Sequence, residues 1–121
     1  LVIQAEGDTT PAVVLDSSKN IFEIKGWSHP EDAIHFYGPV LAWLTEYEKS
    51  PNPQTEFHFN YDYYNTASSK QIFRMISLLE TVAAKSKTTI HWHYEKDDED
   101  MLAAGERFSK MSTIPFKFVS S

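Results

Sequence analysis

Apolar residues change period several times along the chain, and each change marks an element. The clearest stretch is TEFHFNYDY, in which Phe57, Phe59, Tyr61 and Tyr63 alternate with Glu56, His58, Asn60 and Asp62. Period two sustained this long predicts a strand with one buried face. Ala12–Leu15 and Ile21–Lys25 read as two shorter strands, and the turn-forming composition of Asp16 to Asn20 between them predicts an antiparallel hairpin. Ser28 followed by Glu31, with Pro30 in the first turn, makes a capping box for a helix from about His29 to Lys49, which Pro39 should kink near Gly38. The breaker SPNP precedes the long strand. Beyond that strand the pattern predicts a helix from about Ala67 to Lys85, a strand Thr88–Tyr94, a helix from about Glu99 to Lys110 and a last strand Ile114–Val119. Leu1 to Pro11, polar and punctuated by Gly7 and Pro11, reads as a flexible arm or a short edge segment.

The resulting order ββαβαβαβ describes an α/β fold: an N-terminal antiparallel hairpin, then a βαβαβ-type, mostly parallel sheet built by right-handed crossovers. A sheet covered by helices on both faces would have strands that are apolar throughout. Here they alternate. Ile90, Trp92 and Tyr94 point one way and His91 and His93 the other, while Ile114, Phe116 and Phe118 are separated by Lys117 and its neighbours. Helices are therefore expected mainly on one face, burying Phe57, Phe59, Ile90, Trp92 and Phe116, with His58, His91 and His93 on the wetter face.

The length of 121 residues suits one domain spanning 1–121 with one core, and 41% apolar with 23% charged residues is an ordinary globular balance. A formal charge of -6 disfavours nucleic acid and anionic membranes, which are bound through clustered Lys and Arg. No cysteine is present, so there is no disulfide, zinc-thiolate site or thiol nucleophile. No apolar run approaches the ~20 residues of a membrane span, and Leu1 to Ser18 lacks the pattern of a signal peptide. The expected location is the cytoplasm, with no cofactor.

Candidate chemistry is sparse. His58, His91 and His93 with Glu56 gather on the polar sheet face, and histidines two apart on a strand project from the same face about 7 Å apart. No metal-ligand spacing such as HExxH accompanies them, so a solvated sheet face is preferred to a metal site. A hydroxyl nucleophile at Thr66, Ser68 or Ser69 lacks an evident base and oxyanion hole. Ala67 stands where a Ser-x-x-Lys motif ending at Lys70 needs serine, and there is no GxSxG elbow or phosphate-cradling glycine loop. A small metal-assisted enzyme using the histidines, or one using Thr66 or Ser68, remains the alternative. On the first long helix Ile34, Tyr37, Leu41 and Leu44 form one apolar stripe, and Phe36, Val40, Trp43 and Tyr47 form a second. So wide an arc is either a broad core face or a partner surface in which Phe36 and Trp43 are the anchors. The stretch YNTASSK places Asn65, Thr66, Ser68 and Ser69 at the mouth of a helix, with Lys70 behind them. One of them suffices as a cap. A phosphate on Thr66 would sit where a helix start favours an anion.

TPA at Thr10 to Ala12, SHPEDAIHFYGPVLAWL from Ser28 to Leu44, YNTASSK, IHWHYEKDDEDM and the closing IPFKF together resemble the SiaC family of bacterial regulatory phosphoproteins. The likeness spans nearly the whole chain. It implies a small STAS-like fold, similar to anti-sigma-factor antagonists. It also implies that Thr66, the threonine after the Asn of the strand-to-helix motif, is phosphorylated by a cognate protein kinase and dephosphorylated by a PP2C-type phosphatase. The unphosphorylated form would be a non-enzymatic adaptor that binds and activates a diguanylate cyclase, raising cyclic di-GMP and promoting biofilm. The family pattern Asn-Thr-Ser-Ser-x-Lys keeps its Thr and Lys register here, but the neighbouring serine is moved, which leaves Ser68 as a second acceptor. The effector, a cyclase, an anti-sigma kinase or another protein, is the least transferable part.

Overall fold

The computed structural model describes residues 1–121. Six strands, β1 (Val2–Ile3), β2 (Ala12–Asp16), β3 (Ile21–Ser28), β4 (Gln54–Tyr64), β5 (Lys87–Tyr94) and β6 (Phe116–Ser120), form one sheet in sequential order. β1, β2 and β3 are antiparallel, and β3 to β6 are parallel. Each parallel connection carries one helix: α1 (Ala33–Tyr47), α2 (Thr66–Ala83) and α3 (Glu99–Lys110). Right-handed crossovers that always step in the same direction deliver every helix to the same face. The mixed α/β architecture and its one-sided layer are thus as the periodicity predicts.

Register makes the two faces explicit. Val13 pairs with Ile24, Ile24 with Phe59 and Phe59 with Trp92, a row of inward side chains lying across four strands, all buried. The neighbouring row, Glu23, His58, His91 and Lys117, points outward. Inward residues of the sheet and the buried faces of all three helices belong to one core cluster. Phe116, expected inside, is only half-buried, because β6 is the edge strand and no further strand flanks it.

Two local expectations change. β3 runs on to Ser28, and α1 starts at Ala33, capped by Asp32, whose Oδ1 accepts from the His35 N–H at 3.0 Å. The Ser28–Glu31 capping box does not form, because the Ser28 side chain is fully buried and bonded elsewhere. α1 continues through Pro39 to Tyr47. At the other end, of the two options for the first residues, the edge segment is what the structure contains: Val2 and Ile3 pair with β2, and Glu6 bridges Thr10.

Candidate functional site

β4 ends at Tyr64 and α2 begins at Thr66, with Asn65 between them as N-cap. Asn65 has extended backbone, and its Oδ1 accepts from the Ser68 N–H at 2.8 Å, satisfying one of the donors a helix start leaves free. Its own N–H donates to the Ser28 carbonyl at 2.9 Å, pinning the turn to the end of β3. Thr66, first residue of the helix, is exposed, and Lys70 one turn on is exposed on the same side. The first turn of α2 carries no acidic side chain, whereas that of α3 carries Glu99 and Asp100.

Ser68 points the other way. It is fully buried, its Oγ lies 2.9 Å from Ser28 Oγ, and it donates to the Ser28 carbonyl at 3.3 Å. Ser28 Oγ in turn lies 2.6 Å from the Tyr37 hydroxyl, which is 3.0 Å from that of Tyr61. Four hydroxyls from β3, α1, β4 and α2 thus form a closed buried chain under the helix mouth. Burial pushes the phenols of Tyr37 and Tyr61 up, so both stay protonated and able to donate. Ser68 as a second phosphate acceptor or as a nucleophile is set aside: a kinase or substrate cannot reach a hydroxyl already enclosed in this chain. Periodicity could not find the network, since Ser28 and Ser68 are polar residues in inward positions. Replacing Tyr37 by Phe removes the central member and leaves buried hydroxyls short of a partner, at a cost of about 1–3 kcal/mol. A urea titration should show the loss, and an unchanged midpoint would mean the chain of hydroxyls contributes no net stability.

A bulge at Gly26/Trp27, where Gly26 pairs with Tyr61 but Trp27 with Tyr63, shifts β4 by one residue. Gly26 supports it with φ of 121°, a backbone region that other residues rarely adopt. The extra residue turns Tyr63 outward against Trp27, ring centroids 5.6 Å apart, and both are exposed. Uninterrupted alternation had placed Tyr63 with Phe57, Phe59 and Tyr61. The two candidate anchors on α1 separate as well. Phe36, half-buried against Tyr37, lies in the first turn of α1, at the end of the sheet where Thr66 stands. Trp43 is half-buried at the other end, stacked on Tyr47 at 5.1 Å and packed on Phe22 near the start of β3.

On the open face His58 Nδ1 lies 2.8 Å from His93 Nε2, and His91 Nε2 lies 2.9 Å from Glu56 Oε1. The rings of His58 and His91 stack at 4.3 Å. Their nitrogens face one another or a carboxylate, and no group of three or more His, Cys, Asp or Glu side chains converges to hold a metal ion. The histidines lie on the open face, opposite the helices, and bond to one another or to Glu56, so they supply no base to the Thr66 hydroxyl. Burial pushes His58 and His93 below the usual histidine value, helped at His58 by the imidazoles of His91 and His93 and at His93 by His91 and Lys25, with Glu23 opposing at both and Glu56 at His58. Their folded forms therefore hold protons less tightly than unfolded histidine, whose pKa is about 6.5. The stability they contribute is complete above that value and lost as pH falls through it toward the folded pKa. Melting temperature should drop between pH 7.5 and 5.5, and replacing both histidines by Gln should flatten that drop.

The fold and the site define a small one-sided α/β protein that presents one capped, hydroxyl-bearing helix mouth. The model of the SiaC family regulatory phosphoproteins matches residues 4–121, and the chain belongs to that family. It is 26% identical over 109 residues to an uncharacterized protein of Pseudomonas aeruginosa strain UCBPP-PA14, covering 89% of this chain and 86% of that one. Crystal structures are similar throughout. Apo-SiaC of Pseudomonas aeruginosa matches with a TM-score of 0.87 at 25% identity, covering 98% of this chain and 97% of that one. SiaC of that organism, in complex with the diguanylate cyclase SiaD that it activates, gives 0.91 at 24% identity over 100% of this chain and 99% of that one. No helix is long and apolar enough to cross a membrane.

Proposed function

We propose that this chain is a cytoplasmic, non-enzymatic adaptor switched by reversible phosphorylation of Thr66, and that its unphosphorylated form binds and activates a diguanylate cyclase. One observation carries the reading: in a member of a phosphoprotein family, the exposed hydroxyl at a helix mouth is Thr66, while Ser68 beside it is enclosed. The mouth suits the added group. Its N–H groups and dipole favour an anion, no carboxylate of its first turn competes, and Lys70 stands one turn away. The hydroxyl chain beneath braces the mouth, so the phosphate changes the surface and leaves the scaffold in place. A cognate kinase and a PP2C-type phosphatase would set the state. Phe36 fits the partner surface by position; Trp43 contributes to packing at the opposite end.

Phosphorylation with kinase and ATP, followed by mass spectrometric mapping, tests the acceptor. A single phosphate on Thr66 is expected. Modification of Ser69 with Thr66 untouched would reassign the site, and no modification would return the stretch to an ordinary helix cap. Stimulation of purified SiaD by the unmodified chain tests the effector, and failure to bind or stimulate it sinks the cyclase reading.

A further inference from the structure

The sheet has two edges, and they are not equivalent. β1 pairs with β2 over Val2 and Ile3 alone, a stub too short to template another strand. β6, FKFVS, runs in unbroken register along β5, contains no proline and carries a single charge, Lys117. In a parallel pair, alternate residues of a strand turn both backbone groups toward the neighbour. The Pro115 carbonyl accepts from the Ile90 N–H at 3.0 Å and the Ser121 N–H donates to the Tyr94 carbonyl at 3.1 Å, so the odd-numbered positions from Pro115 to Ser121 face β5. Phe116, Phe118 and Ser120 therefore turn their N–H and C=O groups to the open side, where no strand flanks them. The side chains of Phe116 and Phe118, in register with Ile90 and Trp92, lie on the helix face with ring centroids 6.1 Å apart, and Phe118 is left 38% exposed.

We infer that β6 is the interface through which two copies of this chain associate, edge to edge and antiparallel, about a two-fold axis at Phe118. The free backbone groups fix the register. With Phe118 opposite its own copy, Phe116 of each chain meets Ser120 of the other, and every outward N–H and C=O of the strand finds a partner. Moving the axis to Lys117 would leave Ser120 without a strand partner and set Lys117 against Lys117. In the register at Phe118, Lys117 stands opposite Val119 of the second copy, and the two exposed Phe118 rings cover each other. A ladder this short does not by itself reach the ~800 Å² that a stable interface buries on each partner. α3 supplies the rest. It packs on β5 and β6, and strands are spaced by about 5 Å, so the α3 helices of the two copies lie about 10 Å apart across the axis, a helix-packing distance. The two-fold makes them antiparallel and brings the acidic first turn of one, Glu99 and Asp100, toward Lys110 at the end of the other. Ala104, Arg107, Phe108 and Met111 line a cleft with Tyr64 and Ser69 on the α2 side of α3. Leu102 and Ser109, half-buried and seven residues apart on one face, are left for the second copy.

Sedimentation velocity of the full chain, from micromolar to millimolar concentration, tests the interface. A monomer–dimer equilibrium is expected. Phe118→Pro deletes an N–H that points to the open side and no bond to β5, so it should abolish the dimer while circular dichroism shows the monomer still folded. Two further variants read the register. Val119→Glu places a carboxylate opposite Lys117 of the second copy, twice by symmetry, and should tighten the dimer by at least about threefold; Val119→Lys should weaken it by a similar factor. The double variant Lys117→Glu, Val119→Lys should restore it. A chain that stays monomeric throughout the range overturns the inference, and so does a dimer that persists in Phe118→Pro or responds alike to Val119→Glu and Val119→Lys. A monomer whose β6 amides gain protection from exchange only when SiaD is added would overturn it in favour of a partner strand on this edge. None of these measurements involves Thr66, so they stand or fall apart from the phosphorylation reading.

Discussion

Phosphorylation of Thr66 should weaken the effector complex by at least about tenfold, roughly 1.4 kcal/mol, and leave the melting temperature almost unchanged. Charge at the rim of an interface acts on association and specificity, and like charges brought together cost up to several kcal/mol. The same charge costs little in the free protein. It sits at the start of α2, where the dipole welcomes it, with Lys70 on the same side and no acidic residue in the first turn. Thr66→Ala should bind as the unmodified chain does, since the side chain is exposed and the cap belongs to Asn65. Thr66→Glu should fall between the two, as one carboxylate carries less charge than a phosphate. Calorimetric titration against the effector, paired with thermal melts of each form, separates the outcomes. A large fall in melting temperature on phosphorylation would mean that the modification works by loosening the fold, and equal affinity for all three forms would remove Thr66 from the switch.

The periodicity made the one-sided sheet legible because inward and outward positions differ in polarity at nearly every step: Phe57 and Phe59 against Glu56 and His58, Ile90 and Trp92 against His91 and His93. It failed where an inward residue is polar. Ser28 looks like a helix cap because serine usually is one there, yet tertiary contacts place it at the end of a strand, bonded to Tyr37 and Ser68. The bulge that turns Tyr63 outward is equally silent in the sequence, since a one-residue insertion in a strand leaves the local composition unchanged. The exposed threonine was legible from the cap pattern together with the resemblance. The cleft that Tyr64 and Ser69 line together with Ala104 and Phe108 was not, because it joins β4 and α2 to residues of α3 some forty positions on, whose approach depends on how α3 packs on Trp92.

That packing supports the second large effect: Trp92→Ala costs about 3–5 kcal/mol and opens the α3 side of the cleft. Trp92 is 1% exposed, its ring lies against Phe59 at 5.7 Å and Phe108 at 5.5 Å, and its Nε1–H donates to the Met101 carbonyl at 2.9 Å. Gly105 sits on the indole so closely that an added Cβ would fall 2.4 Å from Cδ1. Trp92 therefore helps hold α3 to β5 with bulk, shape and a hydrogen bond. Trp92→Phe keeps most of the bulk and abandons the Met101 carbonyl, at about 1–3 kcal/mol. Gly105→Ala removes no side chain and forces the indole aside, at about 1–3 kcal/mol. The three variants should share one signature: lowered stability in denaturant, with faster hydrogen exchange across α3 before any across α2, whose first turn is tied to Ser28 and Tyr37 through the separate hydroxyl chain. Loss of protection in both helices together would show that the α2 mouth and α3 open as one unit, and that Trp92 does not anchor α3 independently of the hydroxyl chain.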